Sequence, residues 1–93
     1  MEITVQYTGQ LAGFAGVAEE RAEIADGALV PDLVRTLCER HGSAFGDLVT
    51  QSDGQIRPST LVILDGEQSL GDVSRLSLAG VKTVLLMTPI AGG

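Results

Sequence analysis

The chain has 93 residues, of which 44% are hydrophobic and 19% charged. A chain of that length supports one domain with one modest core and excludes a core plus an enclosed substrate pocket. Its formal net charge of −6 repels phosphate backbones and anionic lipid, which argues against nucleic acid and membrane surfaces as partners.

Glu2-Ile3-Thr4-Val5-Gln6-Tyr7-Thr8 alternates polar and apolar residues. The period of two predicts a strand with Ile3, Val5 and Tyr7 inward. Gly9 to Gly16 reads as a glycine-punctuated turn. Ala18 to Ala25 predicts a second strand, with Ala22 and Ile24 on one side and Glu19, Arg21 and Glu23 on the other. The two would form an opening hairpin. Asp26-Gly27 breaks the pattern, and Pro31 suits the first turn of a helix, where its missing N–H costs nothing. Val30, Leu33, Leu37 and His41 recur at helical spacing. Asp32 at one end and Arg40 and His41 at the other complement the helix dipole, and Gly42 supplies the stop. Phe45 and Leu48 suggest one further helical turn, and Ser52-Asp53-Gly54 marks a turn.

Ser59 to Leu64 is an apolar run of strand length. It reads as a central strand, covered on both faces or holding one face for a partner. Asp65-Gly66 turns the chain. Gln68 to Leu78 is predicted as a loop anchored by Leu70, Val73, Leu76 and Leu78. Thr83 to Thr88 is the last strand. Pro89 ends regular pairing because it lacks a donor, and Ile90-Ala91-Gly92-Gly93 follows.

The order strand, strand, helix, strand, strand predicts an α+β domain with one main helix packed on one face of a mixed sheet of four to five strands. With the first and last strands adjacent at the centre, the fold is a β-grasp. Residues 1–88 would form the domain and 89–93 a flexible diglycine tail. Aromatic residues make up 3% of the chain, so the core is expected to be aliphatic. A single cysteine, Cys38, excludes an intrachain disulfide. The start of the chain has no signal-peptide pattern, and no apolar run approaches a membrane span. The expected compartment is the cytoplasm.

Leu86-Met87-Thr88-Pro89-Ile90-Ala91-Gly92-Gly93 resembles the end of the ubiquitin-like sulfur carriers of the MoaD and ThiS type. Ile56-Arg57-Pro58 followed by Ser59 to Leu64 and Asp65-Gly66 is similar to the ubiquitin-related modifier branch. Two features depart from the pattern: Ala79-Gly80-Val81-Lys82 replaces an acidic turn, and Thr88 stands for one of paired prolines. The resemblance implies a ubiquitin-like β-grasp and chemistry at the Gly93 carboxylate. An E1-like adenylating enzyme of the MoeB or ThiF type would use ATP and magnesium to form an acyl-adenylate there. Sulfur from a sulfurtransferase or cysteine desulfurase would displace AMP, and the thiocarboxylate would pass to a downstream synthase. The chain itself would then be a substrate rather than an enzyme, with no bound cofactor and no metal. Conjugation to proteins through Gly93, or a β-grasp interaction domain with an inert tail, are the alternatives.

Glycine suits such an end on independent grounds. Gly92 and Gly93 lack a Cβ, adopt backbone angles closed to other residues and pass through narrow channels. Ile90 and Ala91 add apolar grip, and Pro89 stiffens the tail where it leaves the sheet. Alternation sets Leu61 and Ile63 on one face of their strand, and Leu85 and Met87 on one face of theirs. If Val62, Leu64, Val84 and Leu86 face the helix, the other four form an open apolar patch, the expected partner surface. The loop from Gln68 to Val81, or a second copy of the chain, could instead cover it. Asp47, Asp53, Asp65, Glu67 and Asp72 would make an acidic rim or serve as turn residues. Cys38 reads as a semi-buried structural residue. The only histidine, His41, reads as a cation at the helix C-terminus. Arg57 receives no role.

Overall fold

The computed structural model describes residues 1–68 and 73–88. Strand β1 (Glu2–Tyr7) follows the alternation of its sequence. Ile3 and Val5 are fully buried and Tyr7 nearly so, while Glu2 is exposed. Strand β2 (Glu19–Glu23) pairs antiparallel with it, Ala22 opposite Ile3 and Glu19 opposite Gln6.

The segment between them departs from the glycine-punctuated turn expected of it. Helix α1 occupies Gln10–Ala15, and Gly16 closes it in the left-handed conformation at φ 80°. Six residues with a glycine inside have little helical stability alone. Burial of Leu11 at 0% exposure supplies the tertiary support that the local sequence lacks.

Helix α2 (Val30–His41) runs as its periodicity predicts, with Val30, Leu33, Val34 and Leu37 buried. The Asp32 carboxylate accepts the Leu29 N–H at 2.9 Å, which satisfies one of the orphan donors of the first turn. Gly42 ends the helix at φ 93°, a left-handed value that favours glycine. Helix α3 (Ser43–Val49) begins immediately after it and buries Phe45 and Val49. The single turn suggested by Phe45 and Leu48 is therefore a short helix, and α1 packs against it.

Strand β3 (Leu61–Leu64) is shorter than the apolar run, because Ser59 and Thr60 belong to the preceding turn. Within that turn the Thr60 N–H donates to the Arg57 carbonyl at 2.9 Å. A two-residue strand β4 (Glu67–Gln68) pairs antiparallel with β3, where the sequence predicted only loop. Beyond it, Val73–Arg75 forms a 3₁₀ turn. Of the expected loop anchors, Leu78 is fully buried, Val73 and Leu76 are half-buried, and Leu70 lies outside the described residues. Strand β5 (Thr83–Met87) pairs parallel with β1 and antiparallel with β3.

The sheet order is β2-β1-β5-β3-β4. First and last strands are thus adjacent at the centre, which makes the domain a β-grasp of α+β class. Leu33 and Leu37 of α2 and Phe45 of α3 join Val5, Val62, Val84 and Leu86 in one core. Among the described residues no helix is long and apolar enough to cross a membrane.

Candidate functional site

Two residues fix the alignment of the strands that carry the expected partner surface. Asp65 at φ 49° and Gly66 at φ 86° form the two-residue hairpin loop between β3 and β4, which requires positive φ at both positions. The Asp65 carboxylate Oδ1 also accepts the backbone N–H groups of Lys82 at 3.0 Å and Thr83 at 2.9 Å. Its own N–H donates to the Thr83 carbonyl at 2.9 Å. The start of β5 is therefore clamped to the end of β3.

With that register, Leu61 lies opposite Met87 and Ile63 opposite Leu85. Directly opposed residues share a face, so the four side chains form two adjoining apolar pairs. Leu61 is 39% exposed, and Ile63, Leu85 and Met87 are half-buried. Val62, Val84 and Leu86 on the opposite face are buried in the core, and Leu64 is half-buried there. The sheet thus brings together the four residues that strand alternation singled out. Towards β1 the same face turns polar, because Gln6 lies opposite Leu85 and Thr4 opposite Thr83. Glu19 and Arg21 of β2 continue that polar half.

The other sequence-predicted site residues, Pro89, Ile90, Ala91, Gly92 and Gly93, lie outside the described residues. Strand β5 delivers the chain to Thr88, at the end of the sheet where β1 also finishes. Five extended residues span at most about 17 Å. The Thr88 hydroxyl is buried and has no hydrogen-bond partner among the described residues.

A second cluster was not foreseen. Glu20 of β2 sits 15% exposed beneath the end of α2 and receives three donors. The Tyr7 hydroxyl and His41 Nε2 both reach its Oε2, and Arg40 Nη1 reaches its Oε1 at 2.8 Å. Arg40 also donates to the Arg21 carbonyl at 3.0 Å. The Tyr7 and Phe45 rings meet edge to face at 5.6 Å, and the His41 ring lies 5.1 Å from Phe45. Burial pushes the Glu20 carboxyl up, but the hydrogen bonds from Tyr7, Arg40 and His41 outweigh it and hold the group below its ordinary range. Burial, then the hydrogen bond and charge of Glu20, push the Tyr7 phenol far up. His41 does stand in the last turn of α2, as expected of a terminal cation, but its ring nitrogen is engaged by Glu20 across the layer. The signal was in the alternation of β2: if Ala22 and Ile24 point inward, so does Glu20. A charged inward position demands partners.

Cys38 is half-buried, and burial followed by the charge of Glu39 pushes its thiol up. Its Sγ lies 3.6 Å from where a Cβ on Gly46 would stand, so it fills the junction of α2 and α3. Of the expected acidic rim, Asp65 is the clamp described above and Asp53 accepts the Gln55 N–H at 2.9 Å as a turn residue. Asp72 lies outside the described residues. Arg57 does acquire a role: its Nε donates to the Asp47 carbonyl at 2.8 Å, near the end of α3. Among the described residues there is no group of three His, Cys, Asp or Glu side chains placed to hold a metal.

No protein-family model and no curated protein matches the chain by sequence. Solved structures do match its fold. SAMP1 from Haloferax volcanii is 24% identical over the whole of both chains, with a TM-score of 0.85. A putative molybdopterin converting factor, subunit 1, from Pyrococcus furiosus is 23% identical over 97% of this chain and 99% of that one, with a TM-score of 0.71. Urm1 from Trypanosoma brucei is 23% identical over 99% of this chain and 95% of that one, with a TM-score of 0.74. The chain shares the ubiquitin-like fold of these proteins.

Proposed function

We propose that this protein is a sulfur carrier whose Gly93 carboxylate is adenylated by an E1-like enzyme and converted to a thiocarboxylate. One observation carries the reading. The strand that leads into Pro-x-x-Gly-Gly also presents, beside its exit, the apolar pairs Leu61–Met87 and Ile63–Leu85. An enzyme docked on those pairs would lie within reach of the chain end. ATP and magnesium belong to that enzyme. The carboxylate oxygen attacks the α-phosphorus, pyrophosphate leaves, and the acyl-adenylate then loses AMP to an incoming sulfur nucleophile. A sulfurtransferase or cysteine desulfurase would supply the sulfur as a persulfide, whose terminal sulfur displaces AMP to give an acyl disulfide. A second thiol, on the donor or the E1-like enzyme, then cleaves that S–S bond, leaving the thiocarboxylate on Gly93 and a disulfide on the enzymes. A downstream synthase would receive the sulfur, and the cytoplasm would be the setting. In this reading, these steps belong to the partner enzymes and to no side chain of this chain. Cys38 is half-buried with its thiol pushed up, and His41 is held by Glu20.

The test is incubation of the full chain with ATP, a sulfur donor and an E1-like enzyme from the same organism, followed by intact-mass measurement. Replacement of one oxygen by sulfur at Gly93 is the expected product. Absence of both adenylate and thiocarboxylate, with a Gly93→Ala chain behaving identically, would sink the proposal. A second reading, a modifier conjugated to lysines, is favoured by two of the similar structures being named small archaeal modifier protein 1. Isopeptide adducts of the Gly93 carboxyl in cell extract would establish it.

A further inference from the structure

The chain has three aromatic residues. Tyr7 and Phe45 are buried, whereas Phe14 is 49% exposed. Val17, three residues on, is 42% exposed. Single exposed apolar residues are ordinary, but the location of these two is not arbitrary. The Tyr7 N–H donates to the Ala18 carbonyl at 2.9 Å, and Tyr7 lies opposite Leu86 in the parallel pair. The Thr8 N–H continues that ladder to the Leu86 carbonyl at 3.4 Å. Val17 therefore stands beside the end of β1, and Met87 and Leu61 stand on its other side. Neighbouring strands lie about 4.8 Å apart, so Val17 is roughly two spacings, about 10 Å, from Met87. Phe14 is three residues from Val17, so their Cα atoms lie within about 11 Å of each other.

The length of the tail turns this placement into a constraint. Residues beyond Thr88 reach about 17 Å at full extension, so an enzyme acting on Gly93 must cover the end of the sheet from which they leave. Leu61 and Met87 border that exit on the β3 side, and Phe14 and Val17 border it on the β2 side. We propose that Phe14 and Val17 form a second apolar contact for the adenylating enzyme, on the opposite side of Thr88 from Leu61 and Met87. This rests on the sulfur-carrier reading. The recess that receives Phe14 would be apolar and bordered by a cation, because Glu19, exposed at the start of β2, lies two residues from Val17 and the chain carries −6. Aromatic anchors in such recesses dominate interface energies.

The experiment is ATP–pyrophosphate exchange by an E1-like enzyme of the same organism, with the full-length carrier titrated as substrate. Phe14→Ser with Val17→Ser should raise KM at least about tenfold and leave kcat unchanged. Leu29→Ser is the control, since Leu29 is 37% exposed just before α2, at the end of the sheet remote from the tail. It should leave KM unaltered. If wild type supports exchange and the Phe14/Val17 double variant matches its KM, the second contact does not exist, although the carrier reading stands. If wild type supports no exchange at all, the carrier reading itself fails. Sedimentation of both chains completes the test: a wild-type dimer that the double variant breaks would assign this edge to self-association and overturn the inference.

Discussion

Replacing Glu20 with alanine removes the acceptor on which Tyr7, Arg40 and His41 converge. The cost follows from what is stranded. The Tyr7 hydroxyl and the His41 ring, the latter 10% exposed, would lose their partner in a site that water reaches poorly. Each buried donor left unsatisfied costs about 1–3 kcal/mol. Arg40 is 39% exposed and would be rehydrated, so it adds little. The sum is about 3 kcal/mol, against a total stability of roughly 5–14 kcal/mol for a chain of this length. At about 4–8 °C per kcal/mol, the melting temperature should fall by about 12–24 °C. The effect should also depend on pH. The Glu20 carboxyl is held below its ordinary value of 4.5, so the unfolded chain binds that proton more readily than the folded one. The contribution is complete above about pH 5 and disappears as pH falls through the folded-state value. Chemical denaturation of both proteins at pH 7 and pH 3 measures it. A gap below about 0.5 kcal/mol at pH 7, or one that fails to narrow at pH 3, would refute the reasoning.

Three further outcomes are expected. Asp65→Ala removes the charged acceptor of the exposed Lys82 and Thr83 N–H groups and leaves alanine, which lacks the side-chain hydrogen bond that eases left-handed backbone, at φ 49°. It should cost about 2 kcal/mol in a denaturation midpoint, whereas Asp65→Asn should recover most of that. Thr88→Val deletes a buried hydroxyl that lacks a partner among the described residues, so thermal melting should show no loss and a small gain. Leu61→Ser, at a site 39% exposed, should change stability by less than about 1 kcal/mol. It should still raise the KM for adenylation, and an unchanged KM would remove Leu61 from the docking surface.

The elements that the sequence announced carry one unbroken pattern: alternation in β1, helical spacing in α2, and short apolar runs in β3 and β5. In those two runs the up-and-down geometry of a strand, not a change of polarity, set Leu61, Ile63, Leu85 and Met87 on one face. The elements that the sequence hid are short and held from outside. Helix α1 exists because Leu11 is drawn into the core, between glycines that locally argue for a turn. Strand β4 is two residues that the Asp65-Gly66 loop folds back on β3. The Glu20 cluster stayed hidden because its members come from β1, β2 and α2. No local pattern in Arg40-His41 indicates a carboxylate opposite. Proximity of Val17 to Met87 likewise arises from strand order.

The placement of β5 between β1 and β3 has a mechanical side. Force applied along the axis of β5 runs in line with both neighbours, parallel β1 and antiparallel β3, and across their ladders of hydrogen bonds. Such a load is shared among all rungs on both sides at once, where a tug on an edge strand pulled sideways would break them one by one. The domain can therefore be drawn by its end into a tight-fitting groove without the last strand peeling away. The Asp65 clamp at the far end of β5 adds an anchor where the tension finishes.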